Sequence, residues 1–129
     1  MSSKREEALQ RFELVVGVET HAQLNTTSKL FCGCKVEPGA EPNTRTCPVC
    51  LGMPGTLPVL NRAAFRKALR LAVALDAELL SATEMDRKNY YYADLPKNYQ
   101  ISQLYAEIGP RGGLTLLRSG QRVRMHNVH

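Results

Sequence analysis

Residues 32–50 read C-G-C-K-V-E-P-G-A-E-P-N-T-R-T-C-P-V-C and hold all four cysteines of the chain. Cys32 and Cys34 form a C-x-C, and Cys47 and Cys50 form a C-x-x-C. The twelve residues between the pairs, 35–46, are rich in Pro, Gly, Asn and Thr. Two close-set thiol pairs joined by a turn-rich loop suit one tetrahedral Zn²⁺ held by thiolates at about 2.3 Å. Gly33 lets the backbone fold tightly enough for both sulfurs of the C-x-C to face one ion. Pro48 fixes φ inside the second pair. Two disulfides, or four reduced thiols, are the competing readings of the same spacing. Disulfides need an oxidising compartment, and the N-terminus, M-S-S-K-R-E-E-A-L-Q-R, has no apolar segment of a secretory signal. Four thiolates leave no open coordination position, so a zinc here is structural and any chemistry lies elsewhere.

The 129 residues suffice for one domain with a moderate core. No apolar run approaches membrane-spanning length. Lys plus Arg number 17 against 12 acids, a modest bias towards polyanions that decides nothing alone. Its distribution is uneven: Arg111, Arg118, Arg122 and Arg124 lie in a tail without a single acid.

Upstream of the cysteine loop, residues 1–11 read as a polar leader or a short helix. E-L-V-V-G-V-E-T-H-A-Q-L, from Glu13, is β-branched and apolar and predicts a strand. Period two puts Leu14, Val16, Val18, Thr20, Ala22 and Leu24 on a core face, and Glu19, His21 and Gln23 on the other. A carboxylate beside an imidazole at i, i+2 suits a divalent ion or a reacting group. A merely wet second face is the alternative.

Downstream, L-G-M-P-G-T-L-P-V-L predicts a shaped loop rather than a regular element. Asn61 is the expected N-cap of a helix running through N-R-A-A-F-R-K-A-L-R-L-A-V-A-L-D-A-E-L-L, with Phe65, Leu69, Ala72, Leu75 and Leu79 as its apolar stripe. Its charges oppose the macrodipole, with Arg62, Arg66, Lys67 and Arg70 early and Asp76 and Glu78 late. That basic half faces either solvent or an anionic partner. Next, Asp86, Arg87, Lys88, Asp94 and Lys97 interleave with Tyr90, Tyr91, Tyr92 and Tyr99 in what reads as an irregular segment. Lysines can take phosphate oxygens, a carboxylate can take a metal, and tyrosines can exclude water. A surface loop with locally paired charges is the alternative. The tail predicts a hairpin about Ser119-Gly120. No P-loop, dinucleotide fingerprint or nucleophile elbow is present.

These stretches carry a family resemblance. V-G-V-E-T-H-A-Q-L, S-K-L-F-C-G-C, P-N-T-R-T-C-P-V-C-L-G-M-P-G-T-L-P-V-L-N and D-R-K-N-Y-Y-Y-A-D-L-P-K-N-Y-Q-I-S-Q together span residues 16–103. In that order the chain resembles the N-terminal part of the B subunit of the aspartyl/glutamyl-tRNA amidotransferase family. Two departures stand out: Ala93 where the family usually has Pro, and Asn98 where Gly is common.

The resemblance implies an α+β fold: the N-terminal portion of a cradle-type, glutamine-synthetase-like catalytic domain with a mainly antiparallel sheet. Residues 12–129 would be that truncated portion, after a polar leader over 1–11. It implies a protein that uses ATP and Mg²⁺ to phosphorylate the side-chain carboxylate of Glu-tRNA(Gln) or Asp-tRNA(Asn). Partner A and C subunits respectively supply glutamine-derived ammonia and brace the assembly. Carried over by position, Glu19 and His21 fall in the magnesium site. Lys88, with Asp86, Tyr90, Asp94 and Lys97, lines the ATP and aminoacyl pocket. Cys32, Cys34, Cys47 and Cys50 are the zinc ligands. In the family an acidic L-E-E-D-A-G-K-type segment follows the equivalent of His129, so this stretch alone is expected to be inactive. The absence of an Arg-rich presequence points to bacterial cytoplasm ahead of an organelle. The rival reading is a non-catalytic, zinc-stapled module that binds RNA or protein through its Arg-rich hairpin.

Overall fold

The structure, a computed structural model, describes residues 3–93 and 95–129. Asp94 therefore lies outside the described residues.

A helix, α1, spans Lys4–Arg11, so the leader takes its helical alternative. A capping box starts it: the Ser3 hydroxyl accepts from the Glu6 N–H at 3.3 Å, and the Glu6 carboxylate accepts from the Ser3 N–H at 2.7 Å. The strand expected from Glu13 to Leu24 does not form. This segment takes no regular structure and pairs with no strand, with Leu14 77%, Val15 84%, Val16 71% and Val18 82% exposed. Alternation can sort side chains onto two faces, but a strand also needs a partner edge for its backbone groups. Among the described residues none lies alongside.

The cysteine loop contains one helical turn, α2 (Pro48–Leu51), with Cys47 at its N-cap, Pro48 at its first position and Gly52 closing it at φ 66. The longest helix, α3, spans Arg62–Ala74. Asn61 caps it as expected, its Oδ1 accepting from the N–H groups of Ala63 at 2.9 Å and Ala64 at 3.2 Å.

The helix ends before Leu79. Asp76 turns left-handed at φ 53. Its N–H bonds the Val73 carbonyl at 3.1 Å, and the Ala77 N–H bonds the Ala72 carbonyl at 2.9 Å. That is a Schellman stop with Asp in glycine's usual place. Asp76 and Glu78, whose late placement opposed the dipole, are explained by pairing with the hairpin. Asp76 takes Arg122 at 2.6 Å, and Glu78 takes Arg111 through Nε at 2.9 Å. Two of the four tail arginines are thereby neutralised, which weakens the tail as a polyanion contact.

Four strands follow as two antiparallel ribbons: β1 (Asp86–Asn89) with β2 (Tyr99–Ser102), and β3 (Gly109–Thr115) with β4 (Arg122–Val128). The first corrects the reading of 86–103 as irregular, and D-R-K-N and Y-Q-I-S are short enough to escape a propensity pattern. The second is the expected hairpin, turning at Gly120 with φ 68 and pairing Leu114 with Val123. The molecule is thus a small α+β unit with antiparallel strands.

Among the described residues the buried apolar ones are Ala64 and Ala72 on α3 and Ile108 just before β3. The helix α3 lies on β3 and β4, and a Cβ on Gly109 would come within 2.7 Å of the Ala72 Cβ. The total accessible surface is 11057 Å². A folded monomer of 14.4 kDa would leave only about 6,800 Å². Much apolar surface is therefore uncovered.

The contact between helix and hairpin depends on glycines in β3. A Cβ on Gly112 would lie 2.7 Å from the Leu75 carbonyl oxygen and 3.1 Å from the Ala77 Cα, both backbone atoms that cannot swing aside. The Gly113 N–H also bonds the Leu75 carbonyl at 2.8 Å. Gly112→Ala is expected to destabilise the chain by about 1–3 kcal/mol, measured as the shift in chemical unfolding. Gly17→Ala, with nothing within 4 Å of the added carbon, should be near neutral.

Candidate functional site: a four-cysteine centre beside a lysine and tyrosine ribbon

The first thiol pair sits on a small antiparallel turn. Ser28 bridges Lys35, the Lys29 N–H bonds the Cys34 carbonyl at 2.9 Å, and the Val36 N–H bonds the Thr27 carbonyl at 2.9 Å. The second pair sits on α2. Asn61 joins this assembly to α3. While its Oδ1 caps the helix, its Nδ2 donates to the Ser28 carbonyl at 3.1 Å and the Lys29 carbonyl at 3.2 Å. Sequence reading found the cap but not this second grip.

The two arms bring all four sulfurs within 4.8 Å of one another. Cys50 Sγ lies 3.2 Å from Cys32, 3.6 Å from Cys47 and 3.7 Å from Cys34. A tetrahedron of about 2.3 Å metal–sulfur bonds has sulfur–sulfur edges of about 3.8 Å. A disulfide needs about 2.05 Å. The four residues are free thiols spaced for one ion, and the donor set fits zinc.

Crowding spreads their titration. Cys34 is pushed up to about 12, first by its side-chain hydrogen bond with Cys47 and then by burial. Cys32 is raised chiefly by burial. Burial opposes ionisation at Cys50 too. There it is outweighed by hydrogen bonds from the Cys32 thiol, the Cys47 backbone and thiol, and Cys34, which bring Cys50 down to about 6. Metal must displace the protons of Cys32 and Cys34, and both thiols stay protonated below their raised values. Zinc affinity is therefore expected to fall as pH falls, by at least about a hundredfold per unit between pH 8 and 7, a factor of about ten for each of these two protons. Chelator competition at the two pH values measures it, and a flat response would contradict it.

The β1–β2 ribbon lies against this centre. Gly52, at the end of α2, approaches so closely that a Cβ there would overlap Lys97. An open cavity of about 300 Å³ separates the two parts, lined among others by Lys29, Cys32, Cys50, Leu95, Lys97 and Tyr99. Lys97 Nζ sits 5.1 Å from the Tyr99 ring and the Arg87 guanidinium 4.5 Å from it. Arg87 had no assigned role in the sequence, because its convergence with Lys97 depends on strand register.

That register divides the expected pocket residues. Arg87 opposes Ile101 and Asn89 opposes Tyr99, while Asp86 opposes Ser102 and Lys88 opposes Gln100. Directly opposed residues share a face. Lys88 and Asp86 therefore lie on the face away from Tyr99, and Lys88 Nζ is 5.8 Å from the Tyr90 ring. Asp86 accepts from the Leu104 N–H at 2.7 Å. Tyr90 is partly buried, but Tyr91 and Tyr92 are 87% and 66% exposed. Glu19 and His21 stand on the unpaired segment 12–24, exposed and without a hydrogen-bonding partner among the described residues. Asn98 holds φ 55, a left-handed conformation that glycine takes freely and asparagine tolerates. Gly at this place in the family resemblance therefore has a backbone reason.

Four cysteines spaced to hold a metal ion such as zinc, beside a ribbon that bears Arg87, Lys88 and Lys97, define the class as a small α+β domain with a candidate metal centre. The chain belongs to the GatB/GatE catalytic domain family, whose model matches residues 14–129. It is 54% identical over 119 residues to the B subunit of the aspartyl/glutamyl-tRNA(Asn/Gln) amidotransferase of Thermus thermophilus, covering 92% of this chain and 25% of that protein. The protein of the same name from Mycobacterium tuberculosis is 52% identical over 127 residues, covering 96% and 25%. That of Brevibacillus brevis is 50% identical over 117 residues, covering 91% and 24%. The chain spans about a quarter of the length of these relatives.

Proposed function

We propose that this chain forms part of a protein that phosphorylates the side-chain carboxylate of Glu-tRNA(Gln) or Asp-tRNA(Asn), so that glutamine-derived ammonia can amidate it. The observation that carries this reading is the match of residues 14–129 to a catalytic-domain family. A carboxylate is a poor electrophile. Magnesium-bound ATP supplies the phosphoryl group that turns one oxygen into a leaving group.

This chain's residues serve that step in distinct ways. Lys88, an ammonium on the outer face of β1, neutralises phosphate oxygens. Tyr90 beside it restricts water, which an acyl phosphate would not survive. Asp86 fixes the end of the ribbon through the Leu104 amide. Lys97 borders the pocket from the other face, and Asp94 belongs to the same pocket by family position. Glu19 offers the oxygen ligand a magnesium ion prefers, and His21 two residues on is its neighbour in that site. Cys32, Cys34, Cys47 and Cys50 hold a structural zinc.

The uncovered apolar surface, including Leu14, Val16 and Val18, supports a cradle completed by further sequence of the full-length protein. The A and C subunits and the misacylated tRNA are the partners of this reading. Bacterial cytoplasm is its setting: the relatives above are bacterial, and no helix among the described residues is long and apolar enough to cross a membrane.

The test uses the full-length protein carrying this sequence, assembled with its partner subunits. Supplied with Mg·ATP and Glu-tRNA(Gln) or Asp-tRNA(Asn) but no ammonia donor, it should release ADP only when the misacylated tRNA is present. RNA binding without aminoacyl-dependent ADP release would instead favour the non-catalytic, zinc-stapled module.

A further inference from the structure

We propose that Lys29 is the clamp and charge-balancing neighbour of the four-cysteine metal centre, a positioning residue that sets its metal affinity; this rests on the reading of that centre as a zinc site. Four thiolates around a divalent ion carry two excess negative charges, and a half-buried cluster cannot leave them wholly to solvent. Among the described residues, Lys29 is the cation whose ammonium reaches a cysteine sulfur, with Nζ 3.7 Å from Cys50 Sγ. The other cations of the loop are engaged elsewhere. Arg45 places Nε and Nη2 on Glu37 at 2.8 and 2.6 Å, and Lys35 lies 3.4 Å from the same carboxylate.

Lys29 also joins the two arms mechanically. Its backbone N–H holds the Cys34 carbonyl at 2.9 Å, on the C-x-C arm. Its ammonium donates to the Arg45 carbonyl at 2.6 Å, two residues before Cys47 on the C-x-x-C arm. Its own carbonyl is held by Asn61 Nδ2 at 3.2 Å, which fixes the residue to the cap of α3. One side chain therefore closes the loop and places positive charge on the sulfur that lies within 3.7 Å of each of the other three. Partners of metal ligands tune affinity by about 10- to 100-fold.

The test titrates the reduced, metal-free full-length protein that carries this sequence with Co²⁺ and then Zn²⁺ against a competing chelator. The cobalt–thiolate absorption reports the ligand set. Lys29→Met is expected to weaken both metals by about 10- to 100-fold while keeping the four-thiolate spectrum at saturation. Lys29→Arg, which restores charge and donors, should recover most of the loss. Lys35→Met removes the same charge from the same loop without a sulfur contact and should bind like the parent chain. Equal affinity in Lys29→Met and the parent would overturn the proposal. So would an equal loss in Lys35→Met, which would show a general charge effect, or loss of the helical circular dichroism of Lys29→Met at saturating metal. A parent chain without a four-thiolate cobalt spectrum would instead remove the zinc reading itself.

Discussion

Cys50→Ser should cost the chain its tight zinc binding, weakening it by about a hundredfold or more. Apparent binding free energies of structural zinc run to about 10–16 kcal/mol, roughly 2.5–4 kcal/mol for each of four thiolates. Cys50 should be the worst position to lose. Its sulfur lies within 3.7 Å of each of the other three, and it receives the Lys29 ammonium. A serine hydroxyl does not ionise in this pH range and is a poor ligand for a thiolate-preferring site. The structural consequence should be local. Residues 26–59 are held by short turns and single backbone bonds, such as Val36 to Thr27 and Gly52 to Val49, and contain no buried residue. The β3–β4 ladder rests on α3 and on its own pairing. Hydrogen exchange on the serine variant should therefore speed up at the amides of Lys29, Val36 and Gly52, and stay unchanged at Gly113 and Met125. Parent-like zinc affinity would contradict the centre as described, and matched loss of protection in the hairpin would contradict its independence.

The legible parts of this molecule were those set by short-range rules. Thiol spacing marked the four-cysteine cluster because an ion of fixed radius would demand that spacing. Asn61 and Gly120 were readable because a cap and a left-handed turn are chosen locally. What escaped was settled by contacts distant in sequence. Alternation in 13–24 could not say whether another edge would be present to pair with it. The apolar spacing of Leu75 and Leu79 continued the helical pattern past its real end. What stops the helix is Asp76 turning left-handed while Gly113, nearly forty residues on, takes the Leu75 carbonyl. Lys29 looked like any lysine before a loop, since its approach to Cys50 depends on the fold-back that bridges Ser28 to Lys35. The ribbon's faces were equally hidden. Lys88 and Lys97 read as members of one basic and aromatic cluster until the pairing of β1 with β2 put them on opposite sides.

That separation makes the two lysines experimentally distinct. Lys88→Ala is expected to lower aminoacyl-tRNA-dependent ATP turnover by about 10²–10³, the loss typical of removing one group that stabilises developing charge. Its zinc content and unfolding should not change, because the side chain is exposed and its ring contact is with Tyr90 at 5.8 Å. Lys97→Ala should behave differently. Its Cβ, the atom that abuts Gly52, is retained in alanine. What is lost is a cation over the Tyr99 ring at 5.1 Å, a ring Arg87 still covers at 4.5 Å. Such contacts contribute about 0.5–1 kcal/mol at exposed sites. Turnover should therefore fall less than about tenfold, with any effect appearing as a small loss of stability between the ribbon and the metal loop. Steady-state turnover of the full-length protein in its assembly, with zinc content measured on the same samples, separates the cases. If Lys97→Ala proves the more damaging to turnover, the reacting face is the one beside the metal loop, and the phosphate site must be placed in the cavity between Tyr99 and Cys50.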